Sequence, residues 1–303
     1  MFHSFSYTGV LAASARAAWQ IDDVIGPGAE LDFTRPFMPE ALARTAGLDM
    51  LDVREKLLLN QIRGHEYLCI FGLVEEFVLP FVLDHARPQL SGDDHRVRAL
   101  LQFASEEAKH IQLFKRFHEA FVRGFGVECG VIGPAEAVGA EVLRHEPLSV
   151  ALAILQIEWM TQLHYLDSVR DDSGLDPLFK SLLRHHWMEE AQHAKLDTLM
   201  VEALADGRSA AQIHTAVDGY IDIGGFLDAG LRQQAALNLD ALERASGRTL
   251  DAEDRAVLLD QQHQAMRWTY LGSGMSHPEF RKSLDAMSGE ERARIDALVP
   301  LFS

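Results

Sequence analysis

The chain has 303 residues, of which 48% are hydrophobic, and its 28 basic residues are outnumbered by 45 acidic ones. The formal net charge of −17 argues against nucleic acid or an anionic membrane as a partner, because both attract basic surfaces. The N-terminal residues lack the basic start and long apolar core of a signal peptide, and every apolar stretch is broken before it reaches about 18 residues. We therefore expect a cytoplasmic protein with no membrane span.

The first half of the chain predicts two long helices. Residues 1–48 are expected to form an irregular segment that packs on the main domain, because glycine and proline recur in it. A helix is predicted over about 51–86, with Asp49 as its N-cap, and a second helix over about 93–123. The residues from about 125 to 146 are expected to form a loop.

The second half predicts two more helices of the same kind. The third covers about 147–170. The fourth covers about 177–205, and it starts with Asp176 as N-cap and Pro177 at the first helical position, which is a strong start signal. Four long helices with short to moderate connections predict a four-helix bundle.

The remaining residues are also expected to be helical. Helices are predicted over about 210–245 and about 251–271, followed by shorter pieces, and no alternating strand pattern occurs. No linker-like composition divides the chain, so we expect one domain. Its parts are the N-terminal segment 1–48, the bundle 49–207 and the C-terminal helical extension 208–303.

Two Glu-x-x-His tetrads lie in the middle of long apolar helices: Glu107-Ala-Lys-His110 and Glu190-Ala-Gln-His193. Residues three or four apart share a face of a helix, so each pair projects from one side. His186 precedes Glu190 by four residues, and this spacing favours a third imidazole ligand over a surface histidine. Carboxylates and imidazoles that converge from two helices suit iron or manganese.

A di-metal site of this kind needs one further carboxylate from each of the other two helices. Glu158 is the single candidate on the third helix, where an acid in an apolar run costs several kcal/mol unless it is ligated or ion-paired. The first helix offers Glu75 and Glu76. On a helical wheel Glu75 lies opposite the polar stripe of that helix, so we choose Glu75 and keep Glu76 as the fallback.

This order of ligands resembles the ferritin-like di-iron N-oxygenases of the p-aminobenzoate N-oxygenase type. The third histidine separates that pattern from the generic two-histidine set. The resemblance covers about residues 50–205 and implies an all-α, ferritin-like four-helix bundle with additional C-terminal helices. The ligands of two iron ions implied by the resemblance are Glu75 (or Glu76), Glu107, His110, Glu158, His186, Glu190 and His193.

The resemblance also implies an activity. We expect a di-iron oxygenase that activates O₂ and N-oxygenates an amine, most simply an arylamine, with no catalytic side chain beyond the metal ligands. Manganese or a mixed Mn/Fe pair would accept the same ligands. The expected partners are a small-molecule amine or other organic substrate and an electron donor of the ferredoxin or flavin reductase type. A homodimer is compatible with the extra apolar helices.

Two other interpretations remain open. The first is another ferritin-like di-metal oxidase, such as a desaturase-like, hydroxylating or ferroxidase protein. The second is a metal-free helical interaction protein whose Glu/His pairs are structural. Phe114 stands four residues after His110, where ribonucleotide reductase small subunits usually place a radical tyrosine, and a phenylalanine cannot form that radical.

Other chemically distinctive residues are given simpler interpretations. Two cysteines are too few for a disulfide framework or a thiolate metal site, and Cys69 is interpreted as a small buried hydrophobic residue. Three further histidines are interpreted as packing or surface residues; they are His65, His118 and His164. Four aromatic residues could line a substrate cavity, although core packing is the simpler interpretation; they are Phe71, Phe103, Phe114 and Trp159.

Overall fold

The structure is a computed structural model that describes residues 3–303, and this range contains helices and turns but no strand. The all-α prediction is confirmed. Within the same range, no helix combines the length and the apolarity of a membrane span. The helices are α1 (Tyr7–Ala17), α2 (Ile21–Val24), α3 (Glu40–Ala43), α4 (Val53–Ala86), α5 (Asp94–Phe125), α6 (Ala135–Leu143), α7 (Pro147–His164), α8 (Pro177–Ala205), α9 (Ala210–Ser246), α10 (Ala252–Arg267), α11 (Ser273–Met275), α12 (Pro278–Met287) and α13 (Gly289–Leu298).

Four long helices form the predicted bundle. Helix α4 packs along α5, α7 packs along α8, and α5 meets α8 across the centre. The connection from α5 to α7 runs along α4, where Val131 lies beside Leu68 and Gly139 lies against Phe77. Helix α7 therefore starts at the same end of the bundle as α5. A single long crossover of this kind is the topology of ferritin-like bundles.

Two segments that we expected to be irregular contain helices. Within residues 1–48, α1 begins after Ser6, whose hydroxyl accepts a hydrogen bond from Gly9 N at 3.2 Å. The sequence of α1 is rich in alanine, a strong helix former, and glycine and proline become frequent only after it. Within the segment expected to be a loop, α6 begins after Pro134 and packs on α4. Its nine residues are too few for a clear helical periodicity.

The ends of the bundle helices follow local capping chemistry. Helix α4 is capped by Asp52 and not by Asp49. The Asp52 side chain accepts from Glu55 N at 2.8 Å, and the Glu55 side chain accepts from Asp52 N at 2.9 Å, which is a reciprocal capping box. The predicted cap of α8 is confirmed, because Asp176 accepts from Phe179 N at 2.5 Å.

The C-terminal helices close one side of the bundle. Helix α9 packs on α4, α7 and α10, and a π-helical turn, Trp268–Gly272, continues α10 towards α11. Glu66 links α4 to α9 and to the π-helical turn, since it accepts hydrogen bonds from Asn238 at 2.8 Å and from the Tyr270 hydroxyl at 2.9 Å. Gly274 on α11 touches α7 so closely that an added Cβ would lie 2.5 Å from Gln156 O.

Candidate metal centre

The seven side chains that the sequence proposes as ligands come together in the middle of the bundle. Each of them is 5% exposed or less. Of the two alternatives on α4, Glu75 faces this centre. Glu76 is exposed on the outer surface, where its carboxylate lies 3.7 Å from Lys115 Nζ. The buried positions come from α4, α5, α7 and α8, as a bundle site requires.

One group of donors surrounds His186. Its Nε2 atom lies 3.0 Å from Glu75 Oε1 and 2.8 Å from Glu190 Oε1. His110 Nδ1 approaches the same two oxygens, at 3.5 Å from Glu75 and 3.1 Å from Glu190. The donor atoms of these four residues all lie within 4.8 Å of one another. This spacing allows one ion to contact all four.

A second group shares two residues with the first. It consists of Glu107, His110, Glu190 and His193, again within 4.8 Å. His193 Nδ1 lies 2.9 Å from Glu107 Oε1 and 3.3 Å from Glu190 Oε2. Glu190 thus turns one oxygen towards each group, so it could contribute a ligand to an ion in either group. Glu158 on α7 lies beside Glu190 on the other side of this centre.

The hydrogen bonding of these groups tests whether they fit metal ions. Several buried donor atoms have no hydrogen-bond partner, although oppositely charged groups lie close by. An unpaired buried carboxylate oxygen costs several kcal/mol, so these atoms need cations. Four carboxylates and three imidazoles suit ions of the iron and manganese class, and two divalent ions would balance the four negative charges. The unpartnered ligand atoms are Glu75 Oε2, Glu107 Oε1 and Oε2, Glu158 Oε2, Glu190 Oε1, His110 Nδ1 and His193 Nδ1.

The pKa values of two neighbouring carboxyl groups in this centre, Glu158 and Glu190, are shifted in opposite directions. Burial raises the pKa of Glu158 well above its usual value, and the Glu190 carboxylate next to it adds to the effect. Burial also acts to raise the pKa of Glu190. The neighbouring His186 and His193 outweigh burial there and hold that pKa well below its usual value. Glu190, which gives up its proton easily, therefore lies next to Glu158, which does not.

Two carboxylates outside the predicted ligand set accept hydrogen bonds from the outward-facing nitrogens of two of the histidines. His110 Nε2 on α5 donates to Glu189 Oε2 on α8 at 2.8 Å, and His193 Nε2 on α8 donates to Glu106 Oε2 on α5 at 2.9 Å. Each hydrogen bond fixes the tautomer of its histidine, so the Nδ1 lone pair of each ring faces the centre. The signal in the sequence was the repeated Glu-Glu-x-x-His, whose first Glu serves the opposite helix.

These outer carboxylates are themselves anchored. Glu189 accepts from Lys109 Nζ at 2.5 Å. Glu106 accepts from the Ser14 hydroxyl at 2.5 Å and from Gln102 at 3.0 Å. Burial acts to raise the pKa of Glu106, but its hydrogen bond and charge interaction with His193, together with these two donors, lower it to about 2. Helix α1, which carries Ser14, thus supports the centre directly.

Asp197 is a further buried acid that the sequence interpretation missed. It lies one helical turn after His193, is 1% exposed, and has no hydrogen-bond partner for either carboxylate oxygen. Burial raises its pKa well above the usual value, and the charges of Glu107 and Glu190 act in the same direction. The spacing of Glu190, His193 and Asp197 on one face of α8 could have identified it.

Aromatic rings surround the centre and exclude water from it. The Trp19 ring stacks on His110 with 5.9 Å between centroids. Phe71 and Phe114 each meet the His186 ring edge-on at 5.1 Å. These contacts fix the imidazole planes and lower the local polarity.

A small apolar cavity adjoins the centre through Phe71. Its volume is about 40 Å³, and it lies between α4, α7, α9 and the π-helical turn. Ile157, Met160 and Tyr270 are among its other lining residues. Trp159 lies away from it and stacks on His277 at 4.7 Å.

No family model matches this sequence, and no curated protein is significantly similar to it. Solved structures that are similar to this chain include R2-like ligand-binding oxidases. A mutant with an anaerobically reconstituted Mn/Fe cofactor is 14% identical with a TM-score of 0.48, over 88% of this chain and 93% of that chain. A second, with an aerobically reconstituted Mn/Fe cofactor, is 15% identical with a TM-score of 0.44, over 88% and 92%. These values assign neither a family nor an activity to this chain.

Proposed function

We propose that this chain is a di-iron oxygenase that transfers oxygen from O₂ to the nitrogen of an amine. The observation that carries the proposal is the third imidazole, since His186 Nε2 lies within 3.0 Å of Glu75 and 2.8 Å of Glu190. A generic two-histidine site lacks this neutral donor, whereas the N-oxygenase pattern that the sequence resembles includes it. Manganese would accept the same donor set. The proposed ligands are Glu75, Glu107, His110, Glu158, His186, Glu190 and His193.

Bound iron would supply the binding and reduction of O₂. The protein would contribute position and environment. Glu189 and Glu106 orient His110 and His193 through their Nε2–H groups, so both rings present Nδ1 to the centre. Phe71 and Phe114 keep water away from His186.

The apolar cavity is the proposed entry point for the substrate ring. At about 40 Å³ it holds little more than one water molecule, so an aromatic substrate has to displace a lining side chain. Phe71 is the side chain to move, because it both lines the cavity and touches His186. The lining contains no charged side chain, so an uncharged arylamine fits it better than a carboxylated one.

The reaction needs an electron source. Conversion of a primary amine to a hydroxylamine uses one O₂, two electrons and two protons, and releases one water. One oxygen atom forms the new N–O bond and the other leaves as water. We propose that a ferredoxin-like protein or a flavin reductase supplies the two electrons.

The test is oxygen transfer by the iron-loaded protein. Protein loaded anaerobically with ferrous iron is mixed with ¹⁸O₂, a reductant and either aniline or p-aminobenzoate, and the products are identified by mass spectrometry. We expect labelled hydroxylamine, with more product from aniline. His186→Ala is expected to abolish it. His185→Ala is the control, because that ring bonds to Ser181 O at 2.7 Å outside the donor groups.

Two outcomes would contradict the proposal. If O₂ is consumed while both amines remain unmodified, the protein is another kind of di-metal oxidase. If His186→Ala forms the labelled product at the wild-type rate, the third imidazole is not part of the reacting centre.

A further inference from the structure

A second group of metal-binding side chains lies outside the candidate metal centre, between α4 and α5. His65 Nε2 lies 2.9 Å from His118 Nδ1. Cys69 Sγ lies 3.5 Å from His65 Nε2 and 3.7 Å from His118 Nδ1. Two imidazole nitrogens and a sulfur therefore face one point, and their three atoms lie within 4.8 Å of one another.

The distances among these atoms approach those around tetrahedral zinc. With Zn–N near 2.1 Å and Zn–S near 2.3 Å, the donor atoms are separated by about 3.4 Å for N···N and about 3.6 Å for N···S. The two N···S distances already match. The two nitrogens have to separate by about 0.5 Å, relative to the tetrahedral value. His118 can make this movement because it reaches the surface.

The fold holds the other two donors in place. His65 and Cys69 are one turn apart on α4, so they share a face. The His65 side chain is 1% exposed, and its ring stacks on Phe121 with 4.4 Å between centroids. Burial and the nearby His118 lower the pKa of His65 to about 3, so this ring is neutral and keeps a lone pair for a metal.

The open side of this group faces a surface cavity. Cys69 and His118 line a cavity of about 280 Å³, together with Lys115, Glu76 and apolar residues of α4, α5 and the crossover segment. A fourth ligand, water or a small anion, has room there. Phe114 lines the same cavity and touches His186 at its other side, so it separates this group from the metal centre.

We propose that His65, Cys69 and His118 bind a single zinc ion whose fourth position opens into this cavity. Burial and the charge of Glu66 raise the pKa of the Cys69 thiol to about 12, so zinc would displace its proton on binding. Thiolate and neutral imidazole donors suit zinc, and a site with three protein ligands and one open position is typical of a zinc ion that binds water or a small ligand. The sequence interpretation took these residues for packing or surface residues, since the third donor lies 49 positions away on another helix. This proposal does not rest on the proposed oxygenase activity.

Cobalt(II) provides the test, because it replaces zinc and reports a thiolate ligand by a near-ultraviolet charge-transfer band. The iron-loaded protein is titrated with cobalt, then with zinc, and its zinc content is measured after dialysis. We expect the thiolate–cobalt band, its loss when zinc is added, and one bound zinc per chain. Cys69→Ser is expected to lose both the band and the zinc.

Cys129→Ser is the matched control, because Cys129 is also a half-buried free cysteine and its Sγ donates a hydrogen bond to the Val127 carbonyl oxygen at 3.8 Å. It should bind cobalt and zinc as the wild type does. His118→Ala provides a second variant, and an unchanged iron content shows that each variant is folded. The proposal is overturned if the wild type shows no thiolate–cobalt band, or if Cys69→Ser retains it.

Discussion

Glu189→Gln is expected to weaken one of the two metal positions and to leave the fold intact. The Glu189 carboxylate is fully buried and accepts from two donors, His110 Nε2 at 2.8 Å and Lys109 Nζ at 2.5 Å. Glutamine has nearly the same shape but only one acceptor oxygen and no charge. One of the two donors therefore loses its partner, and His110 is no longer held by a negative charge.

The size of the effect follows from the role of such outer carboxylates. Their substitution typically costs about 10–100-fold in metal affinity, which is about 1.4–2.7 kcal/mol. Anaerobic competition between the protein and a chelator for ferrous iron measures this loss. We expect this loss in Glu189→Gln through its effect on His110, and Glu106→Gln should produce a comparable loss through its effect on His193.

Glu76→Gln is the control for both variants, because this exposed carboxylate lies on the outer face of α4, 3.7 Å from Lys115. Its iron affinity should equal that of the wild type. The reasoning is refuted if Glu189→Gln binds both irons with wild-type affinity, or if Glu76→Gln shows the same loss.

Three further predictions concern the ligands, the metal and the packing. Glu75→Ala should lower the iron content of the purified protein and Glu76→Ala should not, as elemental analysis will show; the reverse result would make Glu76 the ligand. Removal of iron by a chelator should lower the free energy of unfolding by about 2.7 kcal/mol for each of the two iron positions at a metal concentration 100-fold above the dissociation constant, and equal urea midpoints with and without iron would contradict this. Gly64→Ala should lower the free energy of unfolding, measured by urea denaturation, by about 1–3 kcal/mol, because the added Cβ would lie 2.6 Å from Phe37 Cβ. The Cβ that Gly224→Ala adds on α9 would meet no atom within 4 Å, so this variant should gain up to about 1 kcal/mol in the free energy of unfolding. A similar change in both variants would refute the packing argument.

Local spacing was enough to bring the predicted ligand residues together. Glu107 and His110 share a face of any helix, whatever the helix packs against, and the same holds for Glu190 and His193. The wheel position of Glu75 reflects the apolar face of α4, which has to turn inward. These arguments need only the helical period and the direction of the core.

Features that depend on the alignment of two helices were not predictable in this way. The repeated Glu-Glu-x-x-His singles out Glu106 and Glu189, but their partner histidines on the opposite helix depend on how α5 and α8 are aligned. The contact of His118 with His65 and Cys69 likewise depends on how α4 and α5 are aligned. Helix α6 was missed for a different reason, because a helix of nine residues gains most of its stability from packing on α4.

The iron content of the purified protein tests the central claim most directly. Protein from iron-supplemented cells, or loaded anaerobically with ferrous iron, is predicted to hold about two irons per chain in this centre. Glu107→Ala and Glu158→Ala should reduce that number. A wild-type protein that binds no iron under either condition would contradict the account and leave the buried carboxylates and imidazoles as a structural network.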